Sequence, residues 1–310
     1  MVAAHADWSM DSRKRWISVA IRNAEGWEAV APRPVGPLDS LLPGLLAPGL
    51  PVALGLDLPL GLPRAYAAGR REAGFPEFLR GLGACPDFFE VSATLETIAH
   101  DRPFYPARGI KGMTRAAHAA ALGLGGAEGL SRWCDRATAE RPAGAPVFWT
   151  LGANQSGKAA ITAWRDWLVP ALAAAAPIRL WPFEGRLHAL LAPGRAVLAE
   201  VYPAEALRQC GLKLAGSKRA QGPRRALAPA LRAAMAARRV APDAALAAAI
   251  EGGFGADPAG EDRFDSVIGL LGLIAVLDGA RPDYIPDDPW IRRWEGWVLG
   301  QTALPRGLMP

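Results

Sequence analysis

The chain has 310 residues, 51% apolar and 21% charged, enough to bury a large core as one big α/β domain or two smaller ones. Its net charge of +5 and isoelectric point near 9.4 are compatible with a polyanionic partner without demanding one, because arginine-rich composition raises the isoelectric point by itself. Three widely spaced cysteines (Cys85, Cys134, Cys210), with no C-x-x-C pair and no H-E-x-x-H pattern, argue against a zinc knuckle, a disulfide framework or a zincin site.

The amino-terminal stretch carries Asp7 where a signal peptide would be continuously apolar. Next, "RWISVAIRNAEGWEAVAP" alternates apolar and polar residues around Glu25-Gly26, the pattern of a hairpin. "PLDSLLPGLLAPG" reads as a short helix cut by prolines, and "PVALGLDLP" as a strand buried on both faces that ends at Asp57. Residues from 64 to about 145, rich in Ala, Gly, Arg and aromatics, read as a largely helical insertion. "VFWTL" (147–151) reads as a strand, "KAAITAWRDWLVPALAAAA" as a helix, and "AVLAEVYP" as another buried strand stopped by Pro203. From Pro223 the pattern is helical, closing with "DRFDSVIGLLGLIAVLDG" and its stop at Gly279. The apolar run at 266–277 is shorter than the roughly 20 residues a bilayer span needs, so no membrane partner and a cytoplasmic location are expected. Strands first and helices outside predict a mixed-sheet α/β fold.

Three carboxylates stand within or at the ends of apolar strands: Asp7, Asp57 and Glu200. A fourth, Asp265, opens the most hydrophobic helix. Taken singly, each reads as a turn residue, an arginine partner or an N-cap. Taken together, strand-end carboxylates from separate segments can converge at one edge of a sheet, where α/β folds place their sites. Gly269 and Gly272 share the face of Asp265 and would let that helix approach the sheet. Hard oxygen ligands of this kind suit Mg²⁺ or Mn²⁺.

"DWS", "GLDLPLGLP", "AEVYPAEAL", "SKRAQGPRRA", "FDSVIGLL" and "EGWVLG" follow one another along the chain. In these stretches the sequence resembles a bacterial family of predicted RNase H-like nucleases, formerly a domain of unknown function. The resemblance covers nearly the whole chain and is weakest over 64–145. It implies a single RNase H-like domain over 1–310, with a mixed five-stranded sheet flanked by helices. It places Asp7 on the first strand, Asp57 at the end of the fourth, Glu200 on a later strand and Asp265 on the C-terminal helix. That acid order is similar to Holliday-junction-resolvase-type members of the superfamily.

"TLGANQSGKAAITAW" has P-loop spacing at Gly152, Gly157 and Lys158, but Ala159 cannot supply the hydroxyl that ligates Mg²⁺. Two readings stay open: a helix N-terminus with glycines for the turn, or a phosphate site at that N-terminus. His5 shares the strand face of Asp7 but reads as structural, His188 reads as a strand residue, and Trp149, Trp164, Trp167 and Trp181 have core-like spacing.

The expected function is metal-dependent phosphodiester hydrolysis on nucleic acid or another phosphate-bearing ligand. Two Mg²⁺ or Mn²⁺ ions roughly 4 Å apart would be shared by Asp7 and completed by Asp57, Glu200 and Asp265. Gly157 and Lys158, or Lys218, Arg219, Arg224 and Arg225, would steady the phosphate. The alternatives are a non-catalytic nucleic-acid or nucleotide-binding module of the same fold and an actin-like-fold phosphotransferase. The latter needs two related copies of the domain, and the chain reads as one.

Overall fold

The computed structural model describes residues 1–109, 111–151 and 156–307. Its sheet is built outward from β1 (Val2–Asp7), which pairs antiparallel with β2 (Trp16–Arg22) and parallel with β4 (Val52–Leu56). The hairpin read around Glu25-Gly26 joins β2 to β3 (Trp27–Pro34), with Asn23 Oδ1 accepting from the backbone N–H groups of Glu25 and Gly26. Helix α1 (Leu38–Leu46) crosses over to β4, burying Leu41, Leu42 and Leu45.

The segment from 64 to 145 is only partly helical. It holds α2 (Arg64–Ala67), α3 (Phe75–Gly81) and α4 (Arg115–Ala121), separated by 3-10 turns, loops and isolated bridges. Its aromatic side chains, among them Phe75, Phe78, Phe88 and Phe104, pack into the same apolar layer as one face of the sheet. "VFWTL" is buried without being a strand: Trp149 makes a single bridge to Tyr105, through Tyr105 N–H to Phe148 O and Thr150 N–H to Tyr105 O (both 3.0 Å).

Then follow α5 (Ser156–Ala163), a π-turn at Trp164–Leu168, and α6 (Val169–Ala173). After them come β5 (Ile178–Leu180), α7 (Leu187–Leu190), β6 (Ala196–Glu200) and α8 (Pro203–Gln209). The chain continues through α9 (Gln221–Ala226), α10 (Ala228–Ala237), β7 (Val240–Pro242), α11 (Ala244–Glu251) and α12 (Ala259–Leu277).

The fold is α/β around a mixed sheet of seven strands in the order β5-β6-β4-β1-β2-β3-β7. Seven replaces the expected five because β5 and β7, of three residues each, extend the two edges. The twofold alternation of strand side chains sorts the core into two layers. Val2, Ala4, Ala6, Leu54, Leu56 and Leu198 face α1, the 64–145 segment and the α5–α6 region. Ala3, Ala53, Val197 and Ala199 face α12, α8, α10 and α11. Trp149, Trp164, Trp167 and Trp181 are all buried. Among the described residues no helix is long and apolar enough to cross a membrane.

Candidate functional site

Asp7 closes β1 and Asp57 follows β4 by one residue. The two strands run parallel with Ala6 beside Leu56, so Asp7 and Asp57 are the next neighbours across the pair, and Asp57 N–H donates to Ala6 O at 3.1 Å. Alternation turns both toward the layer that holds α12. Asp265 lies in the second turn of α12, past the first-turn acids Glu261 and Asp262, so it is not the cap of that helix.

Gly269 brings α12 onto β1: a Cβ there would lie 2.2 Å from Cε1 of His5. Gly272 does not face the sheet; its missing Cβ would meet Cβ of Ala206 on α8 at 2.5 Å. A hydroxyl pair, Ser18 Oγ and Ser266 Oγ at 2.8 Å, pins the helix to β2 beside this contact. His5 fills the space between strand and helix. It is fully buried, with Nε2 donating to Val201 O at 3.2 Å. Burial pushes its pKa down to about 4, against the pull of that carbonyl, so it is a neutral packing residue near the acids.

The three carboxylates interact, Asp265 raising both Asp7 and Asp57, and Asp57 raising Asp7. Asp7 is held well above the usual carboxylate range by burial first, then by Asp265, Asp57 and Asp262. Asp57 is pushed up to about 7 by burial and by Asp265, and Asp265 to about 6 by burial. Lys218 works the other way on Asp265, with its Nζ bonded to Asp265 Oδ2 and 3.3 Å from Glu261 Oε1. Burial disfavours the Lys218 ammonium, yet Asp265, Asp57 and Glu261 outweigh it and hold the pKa above the usual lysine range. Among the described residues, neither Asp7 nor Asp57 has a basic side chain paired with it.

Glu200 does not join them. It stands beside Leu56 in the β4–β6 register and so leaves the sheet on the opposite side from Asp57. Both its oxygens are taken by Arg132, Nη1 to Oε2 and Nη2 to Oε1 at 2.7 Å each, and Oε2 also accepts Leu60 N–H at 2.8 Å. The same guanidinium binds Asp135 through Nε and Nη2, both at 2.9 Å, and Nη2 donates to Tyr202 Oη at 3.1 Å. Cys134, Asp135 and Glu200 are the one group of three metal-ligand types, among the described residues, with ligand atoms within 4.8 Å of one another. That donor set fits a metal poorly: a buried guanidinium already neutralises its carboxylates, and burial pushes the Cys134 thiol up, away from the thiolate a metal needs.

The basic residues divide as well. Arg219 is exposed, 3.7 Å from Glu261, and Arg225 is exposed. Arg224 is buried and spent on carbonyls, donating to Gly253 O (2.9 Å), Gly255 O (2.6 Å) and Lys218 O, so it ties down the loop that carries Lys218 and faces no ligand. Gly157 is explained by packing, since a Cβ there would lie 2.6 Å from Val147 O and 2.9 Å from Trp149 O. Lys158 is half-buried in the first turn of α5, while Gly152 lies outside the described residues. His188 is helical, in α7, with Nε2 donating to Leu277 O at 3.1 Å.

The chain matches no family model, no curated protein and no solved structure.

The residues alone therefore define what the site can do. Asp7, Asp57 and Asp265 are under-neutralised hard-oxygen donors on two strand ends and a helix, near enough to interact though not within 4.8 Å of one another as a set. Their chemistry suits a divalent cation such as Mg²⁺ or Mn²⁺ once the side chains draw in. The Lys218 ammonium already stands where positive charge is called for. Sequence reading passed over Glu261 and Asp262, although they precede Asp265 by four and three positions, the spacing that puts side chains on one helix face.

Proposed function

We propose that the chain is a divalent-metal-dependent phosphodiesterase acting on nucleic acid, built on an RNase H-like plan, with Asp7, Asp57 and Asp265 holding Mg²⁺ or Mn²⁺. The observation that carries this reading is that three buried carboxylates from β1, the end of β4 and α12 lie near enough to act on one another, each raised by burial and two of them by the others, with Lys218 paired to Asp265. In support of the RNase H-like plan, the inner strands β3-β2-β1-β4-β6 make a mixed five-strand core once the two three-residue edge strands are set aside.

A bound ion would supply an activated water and charge stabilisation for the leaving oxygen. The protein's own part is to fix the carboxylates on rigid strand ends and to keep α12 close through Gly269. Lys218, 45% exposed along its side chain, is free to leave Asp265 for a phosphate oxygen once another cation satisfies the acids. Glu200 serves this site from the other face, by holding Leu60 N–H and with it the strap that follows Asp57.

The Lys218–Asp265 pair also favours a second reading, a binding module of the same fold whose acids are neutralised internally. Titration calorimetry with Mn²⁺ separates the two. The phosphodiesterase reading expects binding with proton release by the parent protein, strongly weakened in Asp7→Asn, and the stoichiometry counts the ions. Equal binding by both proteins, or none by the parent, removes the metal and the hydrolysis with it.

A further inference from the structure

A second candidate cavity lies away from the acids. It has a volume of about 380 Å³ and sits between the end of α2 and the segment 289–294. That volume falls in the range of small-ligand sites, about 300–1,000 Å³. The apolar hollow beside Asp265, at about 140 Å³, is too small for a ligand of that class. Arg70, Arg71 and Arg293 line the larger cavity against one acid, Glu72, and Trp290 and Trp294 supply its aromatic wall.

The arginines are not equivalent. Arg70 is held by Glu72, with Nη2 to Oε1 at 2.6 Å, and lies over the Phe78 ring at 4.8 Å. Arg293 uses Nε and Nη2 on Ala73 O, at 3.1 and 2.9 Å. Arg71 is exposed and, among the described residues, its guanidinium pairs with no carboxylate. Among the described residues, Trp290, 37% exposed, is the one aromatic among the large apolar side chains left open to solvent. An open cation beside an open indole, in a cavity of net positive charge, matches a ligand with an anionic group and a flat ring on one short frame.

We infer that this cavity binds a nucleoside phosphate unit, free or within a single strand, with Arg71 and Arg293 on the phosphate and Trp290 against the base. The inference deepens the nucleic-acid reading and rests on it for the choice of ligand. It does not depend on the metal, because none of its residues belongs to the acidic cluster. A strap joins the two places: Arg64, where α2 begins, donates to Glu295 and Asp288 at 2.9 Å, and Leu62 N–H donates to Trp294 O at 2.7 Å. The residues that follow Asp57 are thereby fastened to the segment that carries Trp290 and Arg293. A strand held in the cavity would thus be anchored to the same strap that leaves the acids.

The test is calorimetry in metal-free buffer with AMP, adenosine, inorganic phosphate and a short single-stranded oligoadenylate. The parent protein should bind AMP at least about tenfold more tightly than either half of the ligand, as expected when a charged and a stacking contact act together. Arg71→Ala and Trp290→Ala should each weaken AMP by about tenfold or more, while Arg33→Ala, an exposed arginine on β3 remote from the cavity lining, leaves it unchanged. Tighter binding of the oligoadenylate than of AMP assigns the site to a strand; equal binding assigns it to the free nucleotide. Phosphate binding as well as AMP, or loss of AMP binding in Arg33→Ala and not in Arg71→Ala, overturns the inference. So does an absence of AMP and oligoadenylate binding, and none of these results touches the Mn²⁺ titration on which the metal reading stands.

Discussion

Leu56 and Glu200 stand side by side in the parallel β4–β6 pair, so Glu200 leaves the sheet on the side opposite Asp57, the next residue after Leu56. That single register contact divides the four strand and helix carboxylates into two sites. Val201, not Glu200, takes the place beside Asp57, and its backbone carbonyl holds His5. On the far side Glu200 becomes the anchor of a buried hub in which Arg132 satisfies two carboxylates and a tyrosine. One face of the strand ends is left with unsatisfied negative charge, the other with a neutralised ion-pair network.

Arg132→Ala should be among the most damaging single changes in the protein. It strands Asp135 and Glu200 as buried carboxylates without a cation, a loss on the order of 3–5 kcal/mol. Glu200→Gln keeps the volume and the acceptor for Leu60 N–H, so it should cost less and leave Mn²⁺ binding close to the parent's. Urea unfolding of both variants, with Mn²⁺ titration of the second, checks this; a large fall in Mn²⁺ affinity in Glu200→Gln would return Glu200 to the ligand set.

The pH dependence of the metal-free protein follows from the other face. Asp57 and Asp265 have folded pKa values of about 7 and about 6, raised from 3.8. Between pH of about 4 and about 7 the folded state therefore holds more protons than the unfolded chain, and this contribution to stability is full below about 4 and lost as pH rises to about 7. His5 acts oppositely: depressed from 6.5 to about 4, it contributes stability above that window and loses it as pH falls. Asp57→Asn removes its own share of the first effect, leaves that of Asp265, and leaves the second effect. Its melting temperature should hold up better than the parent's as pH rises from about 5 to about 7, with Mn²⁺ narrowing the gap. Parallel melting profiles for the two proteins would mean that Asp57 carries no such strain.

Much of this was legible in the chain, and the failures have physical causes. The β2–β3 hairpin, the buried β4 and β6 and the long α12 show in the sequence because each is long enough for its periodicity to register. β5 and β7, with three residues each, are shorter than any usable period. "VFWTL" has the composition of a core strand, but burial is all that composition reports, and only one bridge forms there. The acids at Asp7, Asp57 and Asp265 were readable as misplaced charges in apolar strings. Placing Glu200 with them required the β4–β6 register, which depends on how two distant segments pair and leaves no mark in either one.

Glycine substitutions measure how tightly α12 is seated. Gly269→Ala drives a methyl to within 2.2 Å of the His5 ring, in a layer closed by the Ser18–Ser266 contact, so overpacking should cost about 1–3 kcal/mol or more. Gly222, in α9 with no atom within 4 Å of its would-be Cβ, is the control: Gly222→Ala should stabilise by roughly 0.4–1 kcal/mol through the unfolded chain. Because Asp265 rides on the same helix, Gly269→Ala should also weaken Mn²⁺ binding while Gly222→Ala does not. Denaturant unfolding and Mn²⁺ calorimetry on the pair decide it; a neutral Gly269→Ala would mean the helix can lift away from β1 freely.

Lys218 and a divalent cation should compete for Asp265. The lysine is bonded to Asp265 Oδ2 and lies near Glu261, so a cation arriving at the acids must displace it or share the carboxylate. Lys218→Ala removes the competitor and the charge that opposes the rise in the pKa of Asp265. Three consequences follow. Mn²⁺ should bind Lys218→Ala more tightly than the parent at alkaline pH, where protons compete least for the acids. Proton release on binding should increase near neutral pH, because Asp265 now starts more protonated. On the proposed phosphodiesterase reading, cleavage should nonetheless fall, because the same ammonium is the donor proposed for a phosphate oxygen, and a lost charge-assisted contact is worth roughly 1.5–3 kcal/mol, or about ten- to a hundredfold. Arg224→Ala, one turn of chain away and spent on carbonyls, should instead lower stability by loosening the loop that carries Lys218, without raising Mn²⁺ affinity. If Lys218→Ala binds Mn²⁺ no better than the parent, the lysine is not a stand-in for the ion, and the ion pair with Asp265 is a structural tie.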